Sequence, residues 1–276
     1  MSEYGEIKAF KNMIYQDKVY SGVSDLRRRM LEPQLTEVDL RFSELRIFSQ
    51  NGEDGILIEI LRHIEIENPF FVEFGVGDGW SCNTRILSEL LDWKGVYFEM
   101  DASSFSALET RYRNCEKITT LCKAVSPENV NQVFEAAGVP ANFGVLSIDI
   151  DGQDYWVWEA LDPKFKPDVV VAEVNLNFGL KKFVAEELGS FQTPLTETWG
   201  TSIRAMEKLG NKKGYDLVHI DMAGINAFFV RRDQLDPLSF VGCIDRSPNY
   251  GLRGTFNDLE TLFQGHEMKN RPTSAV

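Results

Sequence analysis

Positive charge is scarce in this chain. Its 29 Lys and Arg stand against 42 Asp and Glu, giving a formal net charge of −13 over 276 residues. A polyanion partner needs a basic footprint, so no nucleic acid is expected as a partner. The densest basic run, Arg27-Arg28-Arg29, has Asp25 and Glu32 beside it and reads as a solvated helix face. Long apolar runs are missing too. None approaches the roughly 18 residues that a membrane span requires, so no membrane partner is expected. The four cysteines, Cys82, Cys115, Cys122 and Cys243, form no CxxC pair, which excludes a disulfide framework or a cysteine zinc site and predicts reduced thiols. The three histidines, His63, His219 and His266, have no zinc-site spacing, and His63 and His219 read as structural. No G-x-S-x-G elbow offers a hydrolytic serine. Residues Met1 to Glu6 carry neither the basic nor the apolar part of a secretory leader, and the expected location is cytoplasmic.

Against these absences stands one dense signal, Phe70-Phe71-Val72-Glu73-Phe74-Gly75-Val76-Gly77-Asp78-Gly79. A strand-like apolar run ends in an acid and breaks into three glycines at alternate positions. Glycine lets the backbone turn sharply and leaves no side chain between main chain and ligand. The following loop, with Asn83, leads into the helical pattern Arg85–Leu91. Strand, glycine loop and helix N-terminus together form a nucleotide cradle in α/β proteins, open to a dinucleotide or to S-adenosylmethionine (SAM).

The rest of the chain repeats this alternation. Strands are predicted at 70–74, 95–99, 118–122, 143–149 and 168–173, with helices near 82–92, 103–113, 128–137 and 154–160 between them. A helix over 201–213 precedes strands 215–220 and 226–230, which are joined by only Asp221–Ile225 and must therefore pair antiparallel. The expected architecture is α/β: a Rossmann-like, doubly wound, mostly parallel seven-stranded sheet with an antiparallel terminal hairpin. Such a hairpin points to a methyltransferase rather than a dehydrogenase. Residues 1–45 read as a helical extension, a lid or packing element, with apolar faces Ile7, Phe10, Met13, Ile14 and Val23, Leu26, Met30. An amphipathic helix is predicted over 56–64. The main domain spans 46–262, a flexible tail 263–276, and the excursion 175–202 reads as a lid or specificity loop. A homodimer is the base-rate expectation.

In open α/β sheets ligands lie beyond the carboxyl ends of the strands, so acids there are candidates. Glu99, 26 residues after Glu73, is placed to accept ribose hydroxyls, with Asp101 a weaker candidate. Ala124 and Val125 follow the third strand, where adenine commonly sits. The segment Ser49-Gln50-Asn51-Gly52-Glu53-Asp54 is a helix cap or, given six polar positions, a cofactor or substrate contact through Gln50, Glu53 and Asp54. The strongest catalytic cluster is Ser147-Ile148-Asp149-Ile150-Asp151-Gly152-Gln153-Asp154. Three acids in six residues repel one another unless a cation lies between them, and Mg²⁺ suits carboxylates. Glu173 and Asn175 end the neighbouring strand and can complete an oxygen shell with Asp149, while Asp151 can act as general base. Capping of the next helix by Asp151 or Asp154 is the alternative. Trp156, Trp158 and Trp199 line a substrate pocket or the core.

With these residues the chain resembles class I SAM-dependent methyltransferases, and among them the FkbM-like group. The matching pieces are residues 49–55, 72–79, 147–152 and 224–231, an ordered set within about 46–232. The resemblance implies SAM contacts from Glu73, Gly75 and Gly77 and ribose contacts from Glu99. It also implies, through a likeness to Mg²⁺-dependent sugar O-methyltransferases, metal binding by Asp149 and a base at Asp151. Where those enzymes carry two adjacent acids after the fifth strand, this chain has Glu173-Val174-Asn175. The expected activity is methyl transfer to a hydroxyl of a small polar acceptor, a sugar or natural-product intermediate. N-methylation without metal, a nicotinamide-dependent oxidoreductase and a non-catalytic nucleotide-binding module are the alternatives.

Overall fold

The computed structural model of the protein describes residues 16, 19–32, 35–185 and 200–244. Expectations for residues 1–15, His266, the tail, Trp199 and residues 186–199 of the long excursion lie outside the described residues.

Seven strands form the central sheet: β2 (Phe70–Phe74), β3 (Lys94–Glu99), β4 (Ile118–Cys122), β5 (Asn142–Ile148), β6 (Lys166–Glu173), β7 (Tyr215–Ile220) and β8 (Asn226–Arg231). Their spatial order is β4-β3-β2-β5-β6-β8-β7. The first five are parallel, and β8 enters antiparallel between β6 and β7. The chain reverses direction in space between β2 and β5, which makes that boundary the topological switch point where α/β sheets bind ligands.

Side-chain alternation divides the core in two. Phe71, Tyr97, Val145, Val171 and Phe228 pack with helices α2 (Glu53–Leu61), α3 (Arg85–Glu89) and α4 (Ala102–Tyr112). Val72, Phe74, Phe98, Leu146 and Phe229 face α5 (Val130–Ala136), α6 (Asp154–Ala160) and α7 (Ile203–Lys213). Both faces of the sheet are therefore covered, and its strands read as nearly unbroken apolar runs. Glu73, Glu99 and Glu173 share strand parity with Phe71, Tyr97 and Val171, so all three lie on the α2–α4 side.

Helix α1 (residues 19–30) buries Gly22 and Leu26, whereas Met30 is 53% exposed and stands off the face predicted to pack. The extension is also not wholly helical. It contains β1 (Glu37–Asp39), paired parallel with β9 (Ser239–Val241) in a separate two-stranded sheet. Helix α2 departs from the predicted amphipathic helix. Eight of its nine residues are buried, Glu53 and Asp54 included, because residues 43–48 lie across it. Gly55 marks that contact: its amide donates to the Leu45 carbonyl, and a Cβ there would stand 2.1 Å from the Ser43 carbonyl oxygen.

Candidate active site

The site is built on the carboxyl ends of β2, β3, β5 and β6. After β2 the chain turns through Gly75 (φ 71°) and Gly77 (φ 56°), left-handed conformations that glycine adopts without strain. A Cβ on Gly75 would lie 1.7 Å from the Asp149 carbonyl oxygen, so only glycine lets the loop cross the end of β5. At Gly77 nothing lies within 4 Å of the corresponding position, which leaves its backbone bare towards the opening. Glu99 fixes this loop. One carboxylate oxygen accepts the Gly77 amide at 2.7 Å, and the other accepts the Asp101 amide at 2.7 Å. Each oxygen retains a lone pair.

Glu73 points away from the opening. Its oxygens accept the Asn83 amide at 2.8 Å, the Thr84 amide at 3.0 Å and the Thr84 hydroxyl at 2.5 Å, tying the start of α3 to β2. Burial pushes its pKa up to about 7 against these bonds, which pull it down. Asn83, expected at the cofactor, is buried and donates to the Ser147 hydroxyl at 3.2 Å. Ala124 is exposed beyond β4, where its carbonyl accepts from Asn129.

The strand-five motif folds into a tight loop. Asp151 sits at φ 53°, a left-handed position that aspartate tolerates better than most residues, and Gly152 follows at φ 113°. Asp154 lies beneath the loop, 1% exposed, with one oxygen accepting the Ile150 amide at 3.0 Å and the other the Gly152 amide at 3.0 Å. Desolvation raises its pKa. Both of its oxygens hold the backbone, and Asp151 is the residue this turn leaves exposed.

Carboxylate oxygens of Asp149, Asp151 and Glu173 lie within 4.8 Å of one another. Three like charges at that spacing repel, and their all-oxygen donor set fits a hard divalent cation such as Mg²⁺ or Ca²⁺. Asp149 and Glu173 are two of the three expected ligands, and the base candidate Asp151 converges with them. Asn175 is engaged otherwise: its side-chain oxygen accepts the Asn177 amide at 2.9 Å and caps a short 3₁₀ turn.

The polar segment before α2 occupies the same edge of the sheet but turns inward. Asp54 accepts the amides of Ile47, Phe48 and Ser49 through one oxygen at 2.7–2.8 Å, and burial raises its pKa to about 6. Glu53 accepts the Asn51 amide at 2.7 Å and the Asn226 side-chain amide at 2.7 Å, and Asn226 pairs with Glu173 across β6 and β8. Gln50 is half-buried at the start of this turn.

Two features carried weaker sequence signals. Asp221 caps the β7–β8 turn by accepting the Gly224, Ile225 and Asn226 amides at 2.6–3.0 Å, with burial raising its pKa. An Asp three residues before a glycine in a short turn is the hint that could have found it. Trp80, 45% exposed after the glycine loop, lies between the guanidinium of Arg85 at 4.7 Å and that of Arg111 at 4.2 Å. Arg85 follows Trp80 closely, but Arg111 comes from the far end of α4, so no local pattern announces the stack. His219 is fully buried and accepts the Cys243 amide at 3.0 Å, as a core histidine does. Trp158, also buried, packs on Phe229 at 5.0 Å and belongs to the core. No helix among the described residues is long and apolar enough to cross a membrane.

No protein-family model matches the sequence, and no curated protein does. Solved structures resemble it in chain trace. The citrinin polyketide synthase CMeT domain is 13% identical, with a TM-score of 0.44 over 65% of this chain and 51% of that one, so the protein spans about half the length of that relative. A SAM-dependent methyltransferase from Aquifex aeolicus is 10% identical, with a TM-score of 0.39 over 63% of this chain and 89% of that one. Fibrillarin from Aeropyrum pernix, in complex with natively bound S-adenosyl-L-methionine, is 13% identical, with a TM-score of 0.39 over 58% and 64%. At these levels the likeness concerns the path of the backbone and assigns no activity to this chain.

Proposed function

We propose that the protein is a SAM-dependent methyltransferase that methylates a hydroxyl of a small polar acceptor, a sugar or natural-product intermediate, with help from a divalent cation. The observation that carries this reading is the convergence of Asp149, Asp151 and Glu173 beside the bare glycine loop, at the switch point of the sheet. The antiparallel β8, inserted between β6 and β7, favours SAM over a nicotinamide cofactor, since dinucleotide folds continue with a parallel sixth strand.

Gly77 would hold SAM along its bare backbone, with Gly75 setting the path of the loop across β5 and Glu99 accepting from the ribose. SAM supplies an electrophilic methyl group bound to a sulfonium. Asp149, Asp151 and Glu173 would hold the cation, which lowers the pKa of a coordinated hydroxyl. Asp151, the exposed member, is then placed to accept the acceptor's proton, and its left-handed backbone keeps the carboxylate at the mouth of the site. Asp154 acts through the loop, and Glu73 through the start of α3; both are positioning residues. The rest of the rate enhancement comes from alignment of acceptor and donor.

Calorimetric titration with SAM and with NAD, each with and without Mg²⁺, tests the reading. SAM binding on the order of micromolar with no NAD response is expected, together with an Mg²⁺ heat lost in Asp149→Ala. NAD binding without SAM binding would overturn the cofactor. SAM binding with no Mg²⁺ heat would leave a metal-independent enzyme, the form that fits an amine acceptor.

A further inference from the structure

The carboxylate cluster belongs to a row that crosses one face of the sheet and runs on beyond Glu173. Ile148 of β5 is level with Ala172 of β6, so Asp149, one position on, comes level with Glu173. Glu173 is in turn paired with Asn226, the first residue of β8. Facing positions on neighbouring strands project to the same side, so Asp149, Glu173 and Asn226 stand in line about 5 Å apart. The Glu173–Asn226 pair is of the close kind. The Val174 amide donates to the Ile225 carbonyl at 2.8 Å, whereas the Asn226 amide turns the other way, to the Asp221 carboxylate at 2.9 Å. Glu173 and Asn226 therefore form a non-hydrogen-bonded pair, in which cross-strand side chains approach most closely.

The Asn226 carboxamide is held by one end only. Its Nδ2 donates to Glu53 Oε1 at 2.7 Å, and Glu53 is itself fixed by the Asn51 amide at 2.7 Å and the Asn51 side chain at 3.0 Å. A carboxylate only accepts, so the NH₂ end must meet Glu53 and the oxygen must face away from it. That oxygen, Oδ1, is buried and accepts no hydrogen bond, in a residue 2% exposed. Leaving a buried acceptor unmet is costly. A tether between α2 and β8 accounts for Nδ2 and leaves Oδ1 without a purpose.

We propose that Asn226 Oδ1 is a fourth ligand of the cation held by Asp149, Asp151 and Glu173, in the place expected of Asn175. The inference rests on the cation reading of that cluster. Three carboxylates already outweigh a divalent charge, and a neutral oxygen adds a ligand without adding repulsion. Four protein oxygens leave roughly two of the six positions of an Mg²⁺ shell for water and the acceptor hydroxyl.

Two measurements on the full chain test the assignment: calorimetry with Mg²⁺, and Eu³⁺ luminescence lifetimes in H₂O and D₂O, which count the waters on the bound ion. Asn226→Ala and Asn226→Ser both remove the carboxamide, and the serine hydroxyl can still donate towards Glu53. Melting in chelator identifies the folded variants. Each should bind Mg²⁺ about tenfold or more weakly than the parent and carry about one more water on Eu³⁺. A loss of packing alone adds no water to the ion. Asn226 is overturned as a ligand if a folded variant keeps the parent's hydration, whatever its affinity. If the parent binds neither ion, or if Asp149→Ala binds both like the parent, the cation reading fails and this inference fails with it.

Discussion

Asp151 occupies a conformation that costs a non-glycine residue about 1 kcal/mol, and it does so at the most exposed point of the acidic cluster. Strain of this kind persists only where the surroundings over-determine it. Here the determinant is Asp154, whose two oxygens pull the amides on either side of Asp151 inward. Two variants separate backbone cost from side-chain use. Asp151→Gly should be as stable as the parent or more stable by about 1 kcal/mol, while losing the proposed methyl transfer; Asp151→Val should be less stable than either. Asp154→Ala strips acceptors from two amides and should cost about 2–4 kcal/mol in urea unfolding. If Asp151→Gly were clearly destabilised, the left-handed turn would not be a source of strain, and the case for a functional carboxylate there would weaken.

At the scale of elements, the N-terminal extension is held to the sheet domain through α2. The contact depends on the absence of a side chain at Gly55, where a Cβ would meet the Ser43 carbonyl oxygen and, at 2.4 Å, the Leu45 amide nitrogen. Both obstacles are backbone, so Gly55→Ala should destabilise the protein by about 2–4 kcal/mol, read as a lowered urea midpoint. A midpoint equal to the parent's would mean that residues 43–45 yield freely. Sequence patterning made the seven central strands visible because each is a short apolar run bounded by turn residues. It also placed Glu73, Glu99, Asp149 and Glu173 at strand ends. It could not show β1, where Val38 is the single apolar residue between Glu37 and Asp39 and the partner strand lies some 200 positions away. Nor could it show which acids face the opening. Asp154 has the same local credentials as Asp151, but loop geometry turns it onto backbone amides; Glu73 and Glu99 both accept backbone amides, Glu73 those at the start of α3 and Glu99 that of Gly77 in the glycine loop. The helix predicted over 56–64 read as amphipathic because Glu59, Arg62 and His63 interrupt its apolar residues; the helix starts earlier, and Glu53 and Asp54, which read as part of the polar segment before it, are buried against partners outside the helix.

Taken as one molecule, the protein keeps several carboxyl groups in surroundings that favour their neutral form. Burial holds Glu73 near pH 7 and Asp54 and Asp168 near pH 6, and it raises Asp154 and Asp221 in the same direction. In the unfolded chain these groups titrate at about 4. Between those limits the folded state binds more protons than the unfolded state, so stability falls as pH rises. Their contribution is complete below about pH 4 and is lost by about pH 7. The net charge of −13 acts in the same sense, because each carboxylate that ionises adds to self-repulsion in the compact state. Melting temperature should therefore be higher at pH 5 than at pH 8 by roughly 5–10 °C, a loss of a few kcal/mol for a domain of this size. At the proposed cation site, Mg²⁺ should offset part of that fall at the high end, because it would bind the ionised forms of Asp149, Asp151 and Glu173 in the folded state only. Scans in chelator from pH 5 to pH 8, repeated with Mg²⁺, check both effects. A melting temperature that climbs with pH in chelator would show that the buried acids are ionised in the fold, and that their amide contacts outweigh the cost of burial.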